Sequence, residues 1–198
     1  MKALCAHADD LFAPDCQTLV DDAEGGVRYW PGFVDAATAD AWFQALHAHA
    51  AWIHLQRPMY ERIVDVPRLL AHYATDDLPD RLPLAEMLRR VRARVPAPYN
   101  RIGMNLYRDG RDSVAMHHDK LHTLLRGHPI TLVSLGAPRR MLIRAQRGQR
   151  DTIAVDLAPG SLLSMSHASQ LSHEHGIPKT RRAQGPRISV VFRVRPQA

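Results

Sequence analysis

Residues 99–119 read Tyr-Asn-Arg-Ile-Gly-Met-Asn-Leu-Tyr-Arg-Asp-Gly-Arg-Asp-Ser-Val-Ala-Met-His-His-Asp. Two strand-like runs, 99–107 and 113–118, flank a turn at Asp109-Gly110. The same pattern continues towards the C-terminus. Runs at 130–136, 140–145, 152–157, 161–165 and 187–195 are short and separated by Gly or Pro turns. Many short strands in succession predict an antiparallel β sandwich or barrel. The jelly roll is one such fold; it closes on itself and can hold a ligand in its mouth.

Upstream of Pro98 the pattern is different. Val27 to Phe33 reads as a short strand closed by Pro31-Gly32. Asp35 is an N-cap for a helix over 36–50, striped by Trp42, Phe43, Leu46 and Ala50. Residues 75–83 are turn-rich, with breakers at Pro79 and Pro83. A second helix follows at about 84–95, apolar along Leu84, Leu88, Val91 and Val95. The predicted class is α+β, with helices supporting a β core. Residues 1–26, acidic and ending in Gly25-Gly26, read as a loosely ordered leader. Residues 27–198 form one domain, with helical support over about 35–96 and the strand core over about 99–195.

The chain of 198 residues suffices for one well-buried domain. Asp9 and Asp10 interrupt the N-terminus before an apolar run can form, so neither a signal peptide nor a membrane span is expected. Cys5 and Cys16 build no disulfide framework, which fits a cytoplasmic protein. A net charge of +6 suits a polyanionic partner. Of the 26 basic residues only Lys2, Lys120 and Lys179 are lysines, a skew that composition bias would also produce.

Two constellations carry chemistry. In the run ending at Asp119, alternation puts His117 and Asp119 on one face and His118 on the other. A third metal ligand should come from a strand distant in sequence. His175 is the best placed, near the end of a loop, with His173 and His167 as alternatives. Two histidines and a carboxylate form the facial triad of non-haem iron oxygenases. Zinc also accepts that donor set, so the triad alone leaves the metal open. The last strand places Arg187, Ser189, Val191 and Arg193 on one face, against Ile188, Val190 and Phe192 on the other. Inward-facing arginines demand an anion, such as one end of a dicarboxylate; on an edge strand they would simply be solvated. Asn105 and Tyr107 share a face in the same way and can hydrogen-bond a carboxylate.

Together these residues resemble the AlkB-type dioxygenases. The likeness runs through Asn105-Leu106-Tyr107-Arg108-Asp109-Gly110, Asp112-Ser113, His117-x-Asp119, Ser134-Leu135-Gly136-Ala137-Pro138-Arg139 and Gly160-Ser161-Leu162-Leu163-x-Met165. It continues in His175-x-x-Pro178-Lys179 and Pro186-Arg187-x-Ser189-x-x-Phe192-Arg193. Tyr29-x-Pro31-Gly32-Phe33 and Val66-Pro67-Arg68-Leu69 fit as well, so the likeness covers about residues 27–195.

The resemblance implies a double-stranded β-helix (jelly-roll) core. It implies Fe(II) on His117, Asp119 and His175, with 2-oxoglutarate and O2 as cosubstrates. It implies that Arg187 and Tyr107 meet the distal carboxylate, that Asn105 and Arg193 fall near the metal-bound end of the cosubstrate, and that Ser189 makes one further contact to it. Ser189 stands where the family usually has asparagine. The implied activity is oxidative demethylation of N-alkylated bases in DNA or RNA; the alternative is the same chemistry on a protein or small molecule. The family's aromatic base-clasping segment is missing after His72-Tyr73, and Leu121 replaces an acidic residue after the metal aspartate. His72, Tyr73, Leu121 and Arg139 are the substrate-side residues expected here, with Trp52 as a further substitute for the missing aromatic and Arg140, Arg144, Arg147 and Arg150 available for phosphates. A monomer is expected.

Overall fold

The computed structural model describes residues 3–4, 15–59, 62–147, 151–182 and 184–196. In chain order these form β1 (Ala3–Leu4), β2 (Gln17–Val20), β3 (Val27–Trp30), α1 (Ala36–His49), β4 (Ile53–Met59), β5 (Arg62–Ala74), α2 (Leu84–Arg94), β6 (Arg101–Tyr107) and β7 (Val114–His117). Then come β8 (Ile130–Gly136), β9 (Arg139–Ala145), β10 (Thr152–Leu157), β11 (Ser161–Met165), α3 (His167–Ser172), β12 (His173–Ile177) and β13 (Arg187–Arg193), with a single 3-10 turn at Leu121–Thr123.

The strands make two sheets. The larger has the order β2-β3-β11-β8-β13-β6-β5-β4, the smaller β1-β10-β9-β12-β7. Pairing is antiparallel except between β1 and β10. This is the expected jelly-roll core, and its central strands are buried on both faces. On β8, Ile130 and Leu132 face the smaller sheet, meeting Met141, Ile143, Val155 and Leu157. Val133 and Leu135 face the other way, onto Trp42 and Leu46 of α1. β13 divides likewise: Ile188, Val190 and Phe192 join the helix-side core, and Val191 joins the inter-sheet core. Residues buried on both sides read as unbroken apolar runs, which is why these strands were legible.

The helices form where patterning places them. Asp35 caps α1, accepting from the Thr38 amide at 2.8 Å. Leu84, Met87, Leu88 and Val91 bury one side of α2.

Three expectations are corrected. The helical support over 35–96 also contains a long β hairpin, β4–β5, which extends the larger sheet at its edge. Two prolines, Pro58 and Pro67, lie within this hairpin. In the fold Pro58 sits on the edge strand, and Pro67 lies opposite the register shift between His54 and Gln56, where a missing amide costs no ladder bond.

The leader is tied down from Gln17. β2 pairs with β3, and Asp22 accepts from Ser166 Oγ at 2.6 Å and from the Gly26 amide at 2.9 Å. These bonds satisfy polar groups that a loose segment would leave to water. Residues 5–14, including Cys5, lie outside the described residues.

His173–Ile177 is a strand and not a loop. Its sequence, His-Glu-His-Gly-Ile, has little β propensity, and pairing with β9 and β7 on its two sides holds it extended. Gly176 is required there, because a Cβ would stand 3.0 Å from both Met116 Sδ and the Val114 carbonyl oxygen.

Candidate active site

β7 and β12 are antiparallel neighbours, and His117 and His175 are direct partners in their register. A separation of 58 positions in sequence becomes adjacent rings with centroids 4.5 Å apart. Asp119 follows β7, its Oδ1 3.8 Å from His117 Nε2. One ligand atom from each of the three residues lies within 4.8 Å of the others. A divalent ion bound by nitrogen and oxygen ligands at about 2 Å needs donors spaced in this way.

Neighbouring groups fix two of the three donors. His117 Nδ1 lies 2.9 Å from the Ala115 carbonyl oxygen, which can only accept, so the ring proton sits on Nδ1 and Nε2 is a free lone pair. The Asp119 amide donates to Gln170 Oε1 at 3.0 Å. Arg193 Nε donates to Asp119 Oδ2 at 2.6 Å. Burial alone would raise the Asp119 pKa, but the Arg193 charge and hydrogen bond, with His175 and His117, hold it below the usual carboxylate range. Burial and the neighbouring His117 push His175 down to about 4. At neutral pH Asp119 is therefore a carboxylate and His175 a neutral imidazole, as a metal requires of its ligands. His118 is exposed, His173 hydrogen-bonds Ser172, and neither they nor His167 belong to the cluster.

The three residues stand on a cavity of about 440 Å³ between the two sheets. Asn105, Tyr107, Arg187 and Ser189 line it from β6 and β13, on the faces that alternation predicts. Arg187 is 1% exposed. Its Nε donates to Ser134 Oγ at 2.9 Å, and its guanidinium stands 5.2 Å from the Tyr107 ring centroid. Both terminal nitrogens are buried without a hydrogen-bond partner. A buried cation with two orphaned donors is costly, and burial lowers its pKa. A bidentate carboxylate at the cavity floor would satisfy both nitrogens. The donor set above and the orphaned fork below thus fit a metal and a dicarboxylate.

Other expected residues fall elsewhere. Arg139 is 3% exposed; it donates to the carbonyls of Asp109, Asp112 and Pro178 and faces the Tyr107 ring at 5.5 Å. It clamps loops and does not line the cavity of the His-Asp-His cluster. Leu121 lies in the 3-10 turn and does not line the cavity, whereas its neighbours Lys120 and Thr123 do. Tyr73 points to the helix side, where its hydroxyl accepts from the Ala51 amide at 3.0 Å. His72, on the opposite face of β5, does line the cavity mouth. Arg140 pairs with Asp156 and Arg144 with Glu174, so neither is held in reserve for a phosphate. Arg150 lies outside the described residues.

Sequence reasoning missed Arg68 and Gln170. Arg68 lines the cavity and donates from Nε to Asn105 Oδ1 at 2.9 Å, which turns the Asn105 amide nitrogen away from it. Its place in Pro67-Arg68, two and four residues before Leu70 and His72 on the same strand face, was the available signal. Gln170 carried none, because a half-turn of helix brings it to Asp119.

No helix among the described residues is long and apolar enough to cross a membrane. Residues 26–193 match the model of the 2OG-Fe(II) oxygenase superfamily. The chain is 34% identical over 122 residues to the DNA oxidative demethylase ALKBH2 of Bos taurus, covering 56% of this chain and 44% of that protein. It is 29% identical over 182 residues to the alpha-ketoglutarate-dependent dioxygenase alkB homolog 3 of Bos taurus, covering 82% and 64%. The aligned part thus spans about half to two thirds of the length of these relatives. A 2OG-Fe(II) oxygenase family oxidoreductase from Burkholderia pseudomallei shares the fold at a TM-score of 0.59 and 16% identity, over 87% of this chain and 89% of that one. With the family match spanning nearly the whole described fold, and the His-Asp-His cluster at its centre, the chain belongs to the 2OG-Fe(II) oxygenase superfamily and is of the AlkB type.

Proposed function

We propose that this protein is an Fe(II)- and 2-oxoglutarate-dependent dioxygenase that oxidatively removes alkyl groups from bases of DNA or RNA. His117, Asp119 and His175 would hold the iron. Arg187 would receive the distal carboxylate of 2-oxoglutarate, with the Tyr107 ring beside it; Asn105 and Ser189 would flank the chain of the cosubstrate. Bound iron supplies the redox chemistry that couples O2 and 2-oxoglutarate to oxidation of a substrate C–H bond, leaving succinate and carbon dioxide. Oxidation of an N-methyl group gives an N-hydroxymethyl group, which releases formaldehyde and restores the amine.

The protein's own part is binding and orientation. Arg193 holds the Asp119 carboxylate in one rotamer and one charge state. The Ala115 carbonyl fixes the His117 tautomer. Arg68 orients the Asn105 amide. The apolar side chains of Met141, Met165, Ile130 and Leu132 line the inner cavity and limit access of water. A base in a duplex must leave the stack to enter a cavity of this kind.

The single observation that carries the reading is the pair of orphaned Arg187 nitrogens, buried in the same cavity as the three ligand groups. The test is anaerobic titration with Fe(II) and 2-oxoglutarate, then admission of air in the presence of methylated oligonucleotides. Stoichiometric succinate and formaldehyde are expected, and their absence across a panel of methylated bases would remove the demethylase reading. A second reading, the same oxidation on a protein or small metabolite, is favoured by the cavity lining: among the described residues its one phenyl-type ring is Tyr107, beside Arg187, and at the mouth only His72 offers a flat ring. Succinate formation without any response to nucleic acid would support that alternative.

A further inference from the structure

Beside the mouth of the active cavity is a second cleft, of about 280 Å³, lined by His72, Arg101, Gly103, Arg193 and Arg195. Three adjacent strands build it. His72 on β5 pairs with Gly103 on β6, and Arg101 on β6 pairs with Arg193 on β13. Two arginines directly opposite each other on neighbouring strands repel, an arrangement that costs stability unless an anion lies between or above them. Arg193 is neutralised by Asp119. Arg195 has no side-chain hydrogen bond or ion pair among the described residues, and Arg101 donates only to the Asn100 carbonyl. The pKa of Arg195 is lowered, by burial first and then by the field of Arg193, with Arg101 contributing. That of His72 is lowered by burial and then by Arg195 and Arg193.

The cleft is also shaped. Gly103 contributes no side chain to its floor; a Cβ there would stand 3.1 Å from an Arg193 terminal nitrogen and 3.5 Å from His72 Nδ1. The backbone of Arg195 is held in place by Asn100, whose side chain accepts from its amide at 2.9 Å and donates to its carbonyl at 2.8 Å. Arg101 is therefore presented from β6 and Arg195 from the segment just after β13, over a hollow that shares His72, Gly103, Arg193 and Arg195 with the cavity of the metal cluster.

We propose that this cleft is a phosphate site, in which Arg101 and Arg195 hold a backbone phosphate of a single-stranded nucleic acid next to the nucleotide in the cavity. His72 forms the wall between phosphate and base. The inference rests on the nucleic-acid reading above and adds to it the residues that set strand register. Arginine forks match phosphate oxygens, and contacts of this kind position a strand without reading its sequence.

The test measures binding apart from turnover. A fluorescently labelled single-stranded oligothymidylate is titrated with the full-length protein at several salt concentrations, followed by anisotropy. Wild type should bind with a salt-dependent affinity. Arg101→Ala with Arg195→Ala should bind roughly tenfold more weakly, and its log–log salt slope should be shallower by ~0.7, the value for one lost phosphate on a single strand. Arg101→Lys with Arg195→Lys keeps both charges and should keep the slope, which also reports that the site still folds. A methylphosphonate strand, which has no backbone charge, should not distinguish the alanine variant from wild type. An unchanged affinity and slope in the alanine variant, or no binding by wild type at low salt, overturns the proposal. Binding with these slopes but no formaldehyde from any methylated oligonucleotide would remove the demethylase reading and leave the phosphate site standing. Formaldehyde release with an unchanged slope would do the reverse.

Discussion

Arg193 Nε and Asp119 Oδ2 are 2.6 Å apart, an ion pair joining the last strand of the larger sheet to the carboxylate of the metal cluster. The pair closes a contact across 74 positions of sequence. It gives Arg193, which also lines the cavity, a task beyond the cosubstrate contact expected of it: it holds the Asp119 carboxylate. Removing it should act on the metal first. Arg193→Ala is expected to weaken Fe(II) affinity by about 10–100-fold, the usual effect of losing a group that orients a ligand. Equilibrium dialysis against iron checks this. A change in 2-oxoglutarate affinity at unchanged iron affinity would contradict it.

The metal ligands themselves should be less forgiving. Asp119→Ala or His175→Ala removes one of three donors, and stoichiometric iron binding and succinate formation should both be lost. His118→Ala and His173→Ala should leave iron stoichiometry at one, because neither side chain is in the cluster. Metal analysis of the purified variants decides between these outcomes.

Arg187 makes a two-sided prediction. Arg187→Met should raise the 2-oxoglutarate requirement by about 2–4 kcal/mol, the scale for losing a buried charge-assisted pair. Without cosubstrate, the same variant should be at least as stable as wild type, because it removes a buried cation with two unsatisfied nitrogens. Thermal melts with and without 2-oxoglutarate test both sides. Wild type should gain stability from the ligand by mass action, and the variant should not.

The cluster should impose a pH dependence on the metal-free protein. His175 titrates near 4 in the folded state against an ordinary 6.5, so as pH falls the unfolded chain takes up its proton first. Stability should be full above pH 6.5 and decline from there to about 4, with no further contribution below. Melts in the presence of a chelator should show this slope, and His175→Gln should flatten it. An unchanged slope would mean that His175 is not buried in its neutral form.

Arg139 should behave as a structural residue. Replacing it with Met leaves three backbone carbonyls without their donor, so a loss of about 2–4 kcal/mol is expected. Denaturant unfolding would register it. A variant of normal stability but raised KM for nucleic acid would return Arg139 to the substrate side.

Local physics determined much of this protein from sequence alone. The strands at 130–136 and 161–165 were legible because both faces are buried, and α1 because an apolar stripe follows a capping aspartate. Alternation alone put Arg187 and Ser189 on one face of β13 and Asn105 and Tyr107 on one face of β6, since side chains in a strand must alternate. Tertiary structure decided what depends on partners distant in the chain. The segment His173–Ile177 is a strand only because β7 and β9 pair with it, and the hairpin β4–β5 holds two prolines only because one edge and one bulge accept them. Arg139 and Arg193 look alike in sequence, yet one reaches three backbone carbonyls and the other the Asp119 carboxylate, because an arginine's contacts are set by whichever acceptor lies within reach of its fork. Composition and periodicity carry no information about that.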